Sequence, residues 1–522
     1  EHQLAERELA LFAVYVHMLD DDAFVGEIDR RIDQGQWAPM ALKSVVEEIS
    51  ARFVEMEDEY LRERSVDVRD LGLRLLNRLL SSHSKIPQFA EPVILVGDEI
   101  SASVLLDIPR SQLAGVISVQ GTSNTHMAIM ARAIELPAVV GLPDFPVLSL
   151  TDQRLIVDGY KGHVIVNPSK SLQANYLSVI QHERKVMEEL DAEFVQPAIS
   201  ACGLAIGLHA NTGLTRDAEV ALRRGAAGVG LYRTEVSFMG FDSFPSEEEQ
   251  RLVYREQLEL FAPLPVSMRT LDVGGDKSLP YFPIVESNPF LGWRGIRVTL
   301  DRPDIFLMQL RAMLKASVGL ENLRILLPMV SAVSEVEEGL KLIHKAFTEV
   351  CDEGYQVVFP KVGAMLEMPA AIELAPKFAE SLDFLSVGTN DLIQYLLAVD
   401  RNNPRVAGLY QAYHPVVLRT LQSLNDALAN TDVELSICGE MAGDPAIAPL
   451  LIGMGYRNLS MSTASLLRVK WVLRRLSLAQ MQHLAAAAQK HYCALQCRAS
   501  VTQMLDELGV SEVVYPDTQI AI

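Results

Sequence analysis

Side chains that bind phosphate, carboxylate and metal ions recur behind short apolar runs in the last two thirds of the chain. Arginine offers a rigid fork of donors that matches phosphate and carboxylate, and Mg²⁺ prefers oxygen ligands such as carboxylates. Phosphoryl transfer depends mostly on positioning and charge neutralisation, which these groups supply. The pattern therefore favours chemistry on a small phosphorylated carboxylate. Its members are Arg233, Glu235, Arg269, Asp272, Glu367, Asn390, Asp391, Arg401, Cys438 and Glu440.

A second candidate, His126, ends the polar turn Gly121-Thr-Ser-Asn-Thr-His126, and a helical stretch follows it. Backbone N–H groups at the start of a helix attract anions, and an imidazole is a competent nucleophile near neutral pH. The alternative is a helix-capping turn that contains an incidental histidine. Spacing alone leaves both interpretations open.

From Cys202 onward, short apolar runs alternate with segments long enough to form helices. These runs must position the phosphate- and metal-binding side chains listed above. Eight strand–helix units over about 320 residues predict a (β/α)₈ TIM barrel, which we assign to residues 201–522. Because such barrels carry their chemistry at the carboxyl ends of the strands, we expect these side chains to share one mouth. The runs are Ala205–Asn211, Gly228–Glu235, Ser267–Asp272, Arg324–Val330, Gly363–Glu367, Phe384–Asp391, Leu435–Glu440 and Asn458–Ser462.

The first 200 residues have a different organisation. Residues 1–88 read as a helical unit, because apolar side chains recur at spacings of three and four. Residues 89–170 predict a compact α/β domain that contains His126, and residues 171–200 predict a charged linker helix. The periodic apolar residues are Leu42, Val45, Ile49, Phe53, Met56 and Tyr60, and the runs of the α/β domain are Val93–Val96, Gly115–Val119, Pro137–Val140, Leu155–Val157 and Val164–Val166.

Charge limits the partners. The chain of 522 residues has a formal net charge of −21, which argues against nucleic acid, because neutralising phosphates needs clustered Lys and Arg. Residues 1–70 alone hold 18 Asp and Glu against 8 Lys and Arg. That excess serves either solubility or the steering of a basic partner, and composition leaves both open.

Cysteine usage and hydropathy bear on the compartment. The five cysteines, an odd number in a long chain without a visible secretory signal, indicate free thiols and a reducing cytoplasm. No uninterrupted apolar stretch reaches about 18 residues, so we expect no membrane span. The first residue is not methionine, and we expect the chain to be part of a longer protein.

Several longer segments, taken together and in order, resemble enzyme I of the bacterial phosphoenolpyruvate-dependent phosphotransferase system. The resemblance covers essentially the whole chain. The segments are Thr122–Gly141, Leu231-Tyr-Arg-Thr-Glu235, Arg269-Thr-Leu-Asp-Val-Gly-Gly-Asp-Lys277, Asn288-Pro-Phe-Leu-Gly-Trp-Arg294, Met365-Leu-Glu-Met-Pro369, Ser386-Val-Gly-Thr-Asn-Asp391 through Asp400-Arg401, and Cys438-Gly-Glu-Met-Ala-Gly-Asp444.

The resemblance implies an architecture and roles for individual residues. It implies a helical subdomain that docks an HPr-like carrier, a swivelling phosphohistidine domain, and a phosphoenolpyruvate-binding barrel that also forms a homodimer. His126 matches the phosphorylated histidine, and Cys438 matches the residue that protonates the methylene carbon of the enolate to give pyruvate. The residues that match substrate contacts are Arg233, Arg269, Arg294, Asn390 and Arg401, and those that match magnesium ligands are Glu367 and Asp391.

The branch of the family is indicated by smaller features. Tyr232, the Val-Gly-Gly-Asp-Lys277 stretch and Asp400-Arg-Asn-Asn-Pro404 resemble the nitrogen-related enzyme I, whose members typically carry a GAF sensory domain; none is visible in this chain. The alternative is an enzyme I of carbohydrate uptake. The family usually has a glycine pair and a serine before the histidine, where this chain has Gln120-Gly121 and Thr125. Because the hydroxyl is retained, we expect the phosphohistidine site to survive.

Two other classes of protein remain alternatives. A dikinase or phosphoenolpyruvate synthase shares the histidine domain and the barrel, but it carries a large ATP-binding domain ahead of the histidine, for which residues 1–90 are too short. A non-catalytic sensor of phosphoenolpyruvate is disfavoured by the intact set of His126, Glu367, Asp391 and Cys438. Because phosphoenolpyruvate and the carrier would bind to different domains, we also expect a hinge motion, which residues 171–200 could provide.

Overall fold

The computed structural model contains two compact units, one within residues 1–179 together with Ile522 and the other within residues 180–521. It describes residues 22–54, 68, 71–72, 75–76, 89, 91–98, 100, 104–105, 108–120, 127–128, 131, 136–142, 145–159, 161–191, 193, 196–213, 215–238, 243–275, 277, 279, 281–401, 403 and 405–514.

In the first unit, a π-helical turn leads into helices α1 (Glu27–Asp33) and α2 (Ala38–Val54). Leu42 and Val45 of α2 are buried in a small apolar core and Ile49 packs against it, which confirms this part of the predicted apolar face. Three residues of the same face, Met56, Tyr60 and the side chain of Phe53, lie outside the described residues.

The same unit contains two small sheets, and all five predicted runs form strands. The first three strands form a parallel sheet in chain order, and the last two form an antiparallel hairpin. Met127 and Ala131 are buried in the core of this α/β part, next to the parallel sheet. The strands are β1 (Val93–Gly97), β2 (Leu113–Ser118), β3 (Ala138–Val140), β4 (Leu155–Asp158) and β5 (His163–Val166).

A 22-residue helix, α3 (Lys170–Asp191), covers most of the charged helix predicted for residues 171–200 but ends at Asp191. Near its start, the hydroxyl of Tyr176 donates a hydrogen bond to Asp158 at 3.0 Å. The boundary between the two compact units falls within this helix. The domain boundaries at residues 88, 170 and 200 stay predictions.

The second unit is a closed barrel of eight parallel strands, in the order β6 to β13 and back to β6. Each strand overlaps one of the eight predicted apolar runs, so the barrel prediction is confirmed. Since all strands run in the same direction, their carboxyl ends form one rim. The strands are β6 (Gly207–Thr212), β7 (Val229–Arg233), β8 (Val266–Arg269), β9 (Leu323–Leu327), β10 (Lys361–Leu366), β11 (Phe384–Gly388), β12 (Glu434–Cys438) and β13 (Asn458–Ser462).

Helices surround the barrel because their apolar faces pack against the strands in one continuous core. Capping boxes mark helix starts, for example at Ser246 and Ser477. No helix of the described residues has the length and apolarity to cross a membrane. The helices are α4 (Thr215–Arg223), α5 (Thr234–Phe238), α6 (Glu247–Phe261), α7 (Ile296–Asp301), α8 (Pro303–Ala316), α9 (Val333–Asp352), α10 (Pro369–Phe378), α11 (Thr389–Leu397), α12 (Pro415–Leu428), α13 (Glu440–Gly443), α14 (Ala448–Met454), α15 (Leu466–Arg475), α16 (Leu478–Ala488), α17 (Ala494–Glu507) and α18 (Ser511–Val514). Short 3₁₀ turns are Arg110–Gln112, Val147–Leu150, Pro289–Leu291 and Ala407–Leu409.

Candidate active site

The carboxyl-terminal rim of the barrel carries the predicted site residues of this unit. Arg233, Arg269 and Cys438 are the last residues of β7, β8 and β12. Glu367 directly follows β10, and Asp391 lies in the first turn of α11, just after β11. The parallel strands thus bring to one rim side chains that are up to about 200 positions apart in the sequence.

Two buried carboxylates at this rim share two cations. Glu235 and Asp272 both pair with Arg269 and with Lys277; the Arg269–Asp272 contact measures 3.0 Å and the Lys277–Glu235 contact 3.3 Å. Burial alone would raise the pKa of each carboxyl group, but the two cations outweigh it and hold both pKa values below their ordinary range. Both acids therefore stay ionised and fix the position of Arg269.

Arg294 extends this network through a fully buried guanidinium. It donates to Asp272 from Nε at 3.1 Å and to Asp391 from Nη1 and Nη2, each at 3.1 Å. The local backbone depends on Gly274, whose φ is +104° and whose added Cβ would lie 2.4 Å from the carbonyl oxygen of Trp293. A glycine is therefore needed where the turn that carries Lys277 meets the segment before Arg294.

Glu367 is buried beside this network and has no ion pair among the described residues. Its Oε1 accepts a hydrogen bond of 2.6 Å from the backbone N–H of Met329, which has a positive φ of 56°. Burial raises the pKa of Glu367 to about 7, and the negative charges of Asp391 and Asp272 act in the same direction. The carboxyl group is thus poised to lose its proton near neutral pH.

Glu367 and Asp391 suit a magnesium ion. Their charges repel each other in a buried setting, and a divalent cation between them would relieve that repulsion. Within the described ranges, no group of three or more His, Cys, Asp or Glu side chains is arranged to hold a metal. Mg²⁺ is commonly held by one or two protein carboxylates, with substrate oxygens and water completing its six positions, so the pair fits it.

Cys438 is 1% exposed and lies among Leu231, Leu326 and Met365 inside the barrel. Its Sγ lies 3.2 Å from the carbonyl oxygen of Val387, to which the thiol donates. Burial raises the pKa of Cys438 to about 11. The Ser386 hydroxyl acts most strongly to lower it, Glu367 raises it further, and Arg269 and Arg233 act to lower it. The group therefore remains a protonated thiol at neutral pH, as a proton donor requires.

Asn390 and Arg401 stand beside these groups. The Oδ1 of Asn390 accepts the backbone N–H of Glu440 at 2.9 Å, and an added Cβ at Gly439 would lie 2.8 Å from that Oδ1. The guanidinium of Arg401 lies 3.8 Å from Asp391, and its backbone N–H donates to Gln394 at 3.2 Å. The loops after β11 and β12 therefore hold Asn390 and Arg401 in place.

Arg233 differs from the other arginines because its side chain is exposed. Within the described part of the chain it makes no hydrogen bond and no ion pair. Its charge nevertheless lies close enough to Cys438 to lower the pKa of the thiol. It therefore offers an open guanidinium at the rim.

Comparisons with known proteins agree with this geometry. Residues 187–478 match the family model "PEP-utilising enzyme, PEP-binding domain", residues 89–162 match the mobile domain of the same enzymes, and residues 1–64 match their N-terminal part. The chain is 43% identical to the "Phosphoenolpyruvate-dependent phosphotransferase system" protein of Escherichia coli (strain K12), over 98% of this chain and 68% of that protein. It is 36% identical to the "Phosphoenolpyruvate-protein phosphotransferase" of Staphylococcus carnosus, over 97% of this chain and 88% of that protein.

The chain belongs to the phosphoenolpyruvate-protein phosphotransferase family. The resemblance inferred from the motifs is therefore confirmed, and so is the barrel as its phosphoenolpyruvate-binding part. His126 falls within the matched mobile domain but outside the described residues. Its role stays a prediction.

The structure brings most of the other predicted site residues into contact with one another. Arg269, Arg294, Asp391 and Arg401 belong to one ion-pair network, and Glu367 acts on it electrostatically. Cys438 and Arg233 share the same rim, and Asn390 is tied to the loop that follows Cys438. The catalytic and binding roles of all these residues stay predictions.

The sequence did not predict the structural roles of several residues at the site. Glu235 and Asp272 were noted as acids at strand ends, but not as the partners that hold Arg269. Lys277 stands five residues after Asp272 in the Arg269–Lys277 segment, and that spacing was the available signal. The N–H of Met329 could not be found from sequence, because a backbone donor carries no residue-type signal.

Proposed function

We propose that this chain transfers the phosphoryl group of phosphoenolpyruvate to His126, releases pyruvate, and then passes the group to a histidine of an HPr-like carrier protein. One observation carries the proposal: buried arginines held by carboxylates stand at the same barrel rim as the Glu367–Asp391 pair and a protonated Cys438 thiol. Together these groups match a phosphate, a metal ion and an enolate.

Substrate binding would use the arginines in two ways. Arg233 is exposed and without a partner among the described residues, so its guanidinium is available to the phosphate. Arg269 is already oriented by Glu235 and Asp272, and the substrate need not order it. Preorganised charges of this kind stabilise the transferring phosphoryl group without reorganisation during the reaction. Asn390 and Arg401 would contact the remainder of the substrate.

In the transfer step, a lone pair of the His126 imidazole attacks phosphorus. The bond between phosphorus and the enol oxygen breaks, and its electron pair stays on the oxygen of the resulting enolate. Arg233 and Arg269 would neutralise the charge on the phosphoryl oxygens. Glu367 and Asp391 would hold Mg²⁺, which when bound supplies further positive charge to the phosphate.

Cys438 would complete the reaction by protonating the methylene carbon of the enolate. Its pKa of about 11 keeps the proton on sulfur until the enolate, a strong base at carbon, is present. The dry surroundings of Leu231, Leu326 and Met365 keep water from competing for that carbon. Pyruvate is the product.

We further propose that the chain belongs to the nitrogen-related branch. Its Tyr232, Lys277 and Arg401 segments resemble that branch. The 43% identical relative also extends well beyond the matched region, since the match covers 68% of it against 88% of the 36% identical relative. An additional domain in the 43% identical relative, such as the sensory domain of the nitrogen-related branch, would explain why the match covers a smaller share of it. The alternative remains an enzyme I of carbohydrate uptake.

Two further properties belong to the proposal. A homodimer formed through the barrel, which the family resemblance implies, is the first. All five cysteines are free thiols in the structure, as the predicted cytoplasmic location requires.

The central experiment is labelling with ³²P-phosphoenolpyruvate and Mg²⁺. We expect acid-labile label on histidine in the wild type and none in His126→Ala. Full labelling of His126→Ala would refute the assignment. Formation of phosphoenolpyruvate from ATP and pyruvate would instead favour a dikinase.

The carrier is tested by presenting the labelled protein with purified HPr and its nitrogen-branch counterpart, side by side. We expect faster transfer to the nitrogen-branch carrier, and weaker transfer at high salt if the acidic residues 1–70 steer the carrier. Faster transfer to HPr would assign the chain to the carbohydrate branch.

A further inference from the structure

One polar side chain inside the barrel is unexplained by the mechanism. Ser386 lies on β11, two residues before Gly388, which pairs in register with Cys438 on β12. It is 1% exposed, and its hydroxyl makes no well-aligned hydrogen bond with any of the described residues. A buried hydroxyl without a partner is unfavourable, and such groups are rare in folded proteins. A partner that forms only during the reaction would account for it.

The group that faces Ser386 is the Cys438 thiol. Although it is not well aligned for a hydrogen bond, the hydroxyl contacts the sulfur closely enough to lower the pKa of Cys438, against the larger effect of burial. In the resting protein the sulfur is itself a donor, because its S–H points to the carbonyl oxygen of Val387 at 3.2 Å. The thiol therefore has little need of a second donor until it has lost its proton.

The situation changes once Cys438 has given up its proton. The thiolate then faces the Val387 carbonyl oxygen, a partial negative charge, and its apolar neighbours Leu231, Leu326 and Met365 have no hydrogen-bond donors. The charged groups that act on it are Glu367, which disfavours the thiolate, and Arg269 and Arg233, which favour it. A neutral donor in direct reach would stabilise it further.

We propose that Ser386 is a positioning residue for the proton transfer from Cys438, because its hydroxyl donates a hydrogen bond to the thiolate sulfur as that thiolate forms. The inference rests on the proposed function, in which Cys438 protonates the enolate. It assigns to Ser386 no proton transfer of its own.

The step balances as follows. The π electron pair of the enolate takes the proton of Cys438, so that a C–H bond forms at the methylene carbon while the S–H bond breaks. The S–H electron pair stays on sulfur as a thiolate, to which Ser386 donates its hydrogen bond while keeping its own proton. A proton from water later restores the thiol, and the Ser386 hydroxyl loses its partner again.

The test compares Ser386→Ala with two other variants in single-turnover reactions with ³²P-phosphoenolpyruvate and Mg²⁺. Ser436→Ala is the matched control: it removes the same group from β12, opposite Ser386 and two residues before Cys438, where the hydroxyl bonds the carbonyl oxygen of Leu385 at 3.4 Å. Ser386→Thr keeps the hydroxyl. Label on histidine reports phosphoryl transfer, and NADH oxidation through lactate dehydrogenase reports pyruvate.

We expect Ser386→Ala to label at close to the wild-type rate but to form pyruvate about 10- to 100-fold more slowly, the range for loss of a hydrogen bond to a charged group. Pyruvate formation in that variant should slow further in D₂O, because proton transfer has become limiting. Ser436→Ala should resemble the wild type, and Ser386→Thr should recover most of the pyruvate rate. Because the hydroxyl makes no well-aligned hydrogen bond in the resting protein, Ser386→Ala should unfold at close to the wild-type temperature.

The outcomes separate the two proposals. If the wild type fails to label or to form pyruvate, the proposed function is wrong. If the wild type reacts and Ser386→Ala forms pyruvate at the wild-type rate, only the role of Ser386 is wrong. Equal slowing of label and pyruvate in Ser386→Ala would also overturn it, because a general disturbance of the site would have that effect.

Discussion

The two rims of the barrel both carry ion pairs, but they use them differently. At the amino-terminal rim, Arg324 makes two parallel hydrogen bonds to Glu434, at 3.1 and 3.0 Å. Its guanidinium also lies 4.0 Å from the ring centre of Phe384. Nearby, burial lowers the pKa of His209, so that its imidazole stays neutral. Here the buried Arg324 and the partly exposed Glu434 neutralise each other.

At the carboxyl-terminal rim, the cations Arg269, Lys277 and Arg294 form a branched network with Glu235, Asp272 and Asp391. These six charges balance, and Arg401, 3.8 Å from Asp391, adds a fourth cation to the network. The charges beyond that balance include Glu367, which is buried, and Arg233, which is exposed; neither has an ion pair among the described residues.

This difference between the two rims indicates which of them is built to bind a ligand. A single ion pair whose carboxylate is partly exposed, such as Arg324–Glu434, contributes little to stability on balance, and it needs no ligand. The carboxyl-terminal network instead holds its arginines rigid while two opposite charges remain without partners of their own. A phosphate and a divalent cation carry the charges that would match them. The asymmetry between the rims is therefore the strongest physical argument for a site at one of them.

We expect the largest effect from a substitution that breaks the carboxyl-terminal network at its centre, Arg294. Replacing Arg294 by Met leaves Asp391 without its bidentate partner in a buried setting, and we expect the free energy of unfolding to fall by about 3–5 kcal/mol. Pyruvate formation per folded molecule should fall by about 100- to 1000-fold, since preorganised charge is lost from the site. Urea unfolding and single-turnover kinetics measure the two effects.

Arg324→Met is the matched control at the other rim, because it also removes an arginine with a carboxylate partner. Its partner Glu434 is 36% exposed and can be hydrated, so the loss of stability should be smaller and the rate per folded molecule unchanged. If Arg324→Met slows the reaction as much as Arg294→Met, the contrast between the rims is wrong.

The second effect is a pH dependence of the stability, which tests the role of Glu367. Its pKa is about 7 in the folded protein against 4.5 ordinarily, so the folded state binds its proton more tightly than the unfolded state does. The stability that this gives is fully present below about pH 4.5 and is lost as pH rises through 7, a change of about 3 kcal/mol at most. With the metal chelated, the barrel should therefore unfold more easily at pH 8 than at pH 5.5.

Glu367→Gln removes the titrating group, so its stability should change less between pH 5.5 and 8 in the same urea titration. Adding Mg²⁺ at pH 8 should stabilise the wild type and have a much weaker effect on the variant. If the stabilities of the wild type and the variant depend on pH in the same way, the titrating group is not Glu367.

The sequence was enough to predict the barrel and the residues at its rim. Each strand lies in a short apolar run, most of these runs lead into polar residues, and the parallel arrangement then puts Arg233, Arg269, Glu367 and Cys438 at one rim without further information. Strand ends differed from the predicted runs by a few residues; β7, for example, ends at Arg233, and Glu235 lies in the helix that begins at Thr234.

The pairing within the rim could not be predicted from sequence. Arg294 and Asp391 are 97 positions apart, and nothing in either segment indicates that the arginine belongs to that carboxylate and to Asp272. The raised pKa of Glu367 also depends on burial and on two distant acids, which exist only once the barrel has closed. The surroundings of His126 lie outside the described residues, so the motif remains the basis for its role.

The smallest expected effect tests the amino-terminal rim alone. Replacing Glu434 by Gln keeps the shape of the side chain but removes the charge that Arg324 faces. Arg324 keeps its contact with the Phe384 ring, and its side chain is 10% exposed, so we expect the free energy of unfolding to fall by only about 1–2 kcal/mol. The rate of histidine labelling should stay within about twofold, because the change in field is far from the phosphoryl group and screened. A labelling rate that falls tenfold, in protein shown by urea unfolding to be folded, would mean that the charges of the two rims are coupled through the barrel.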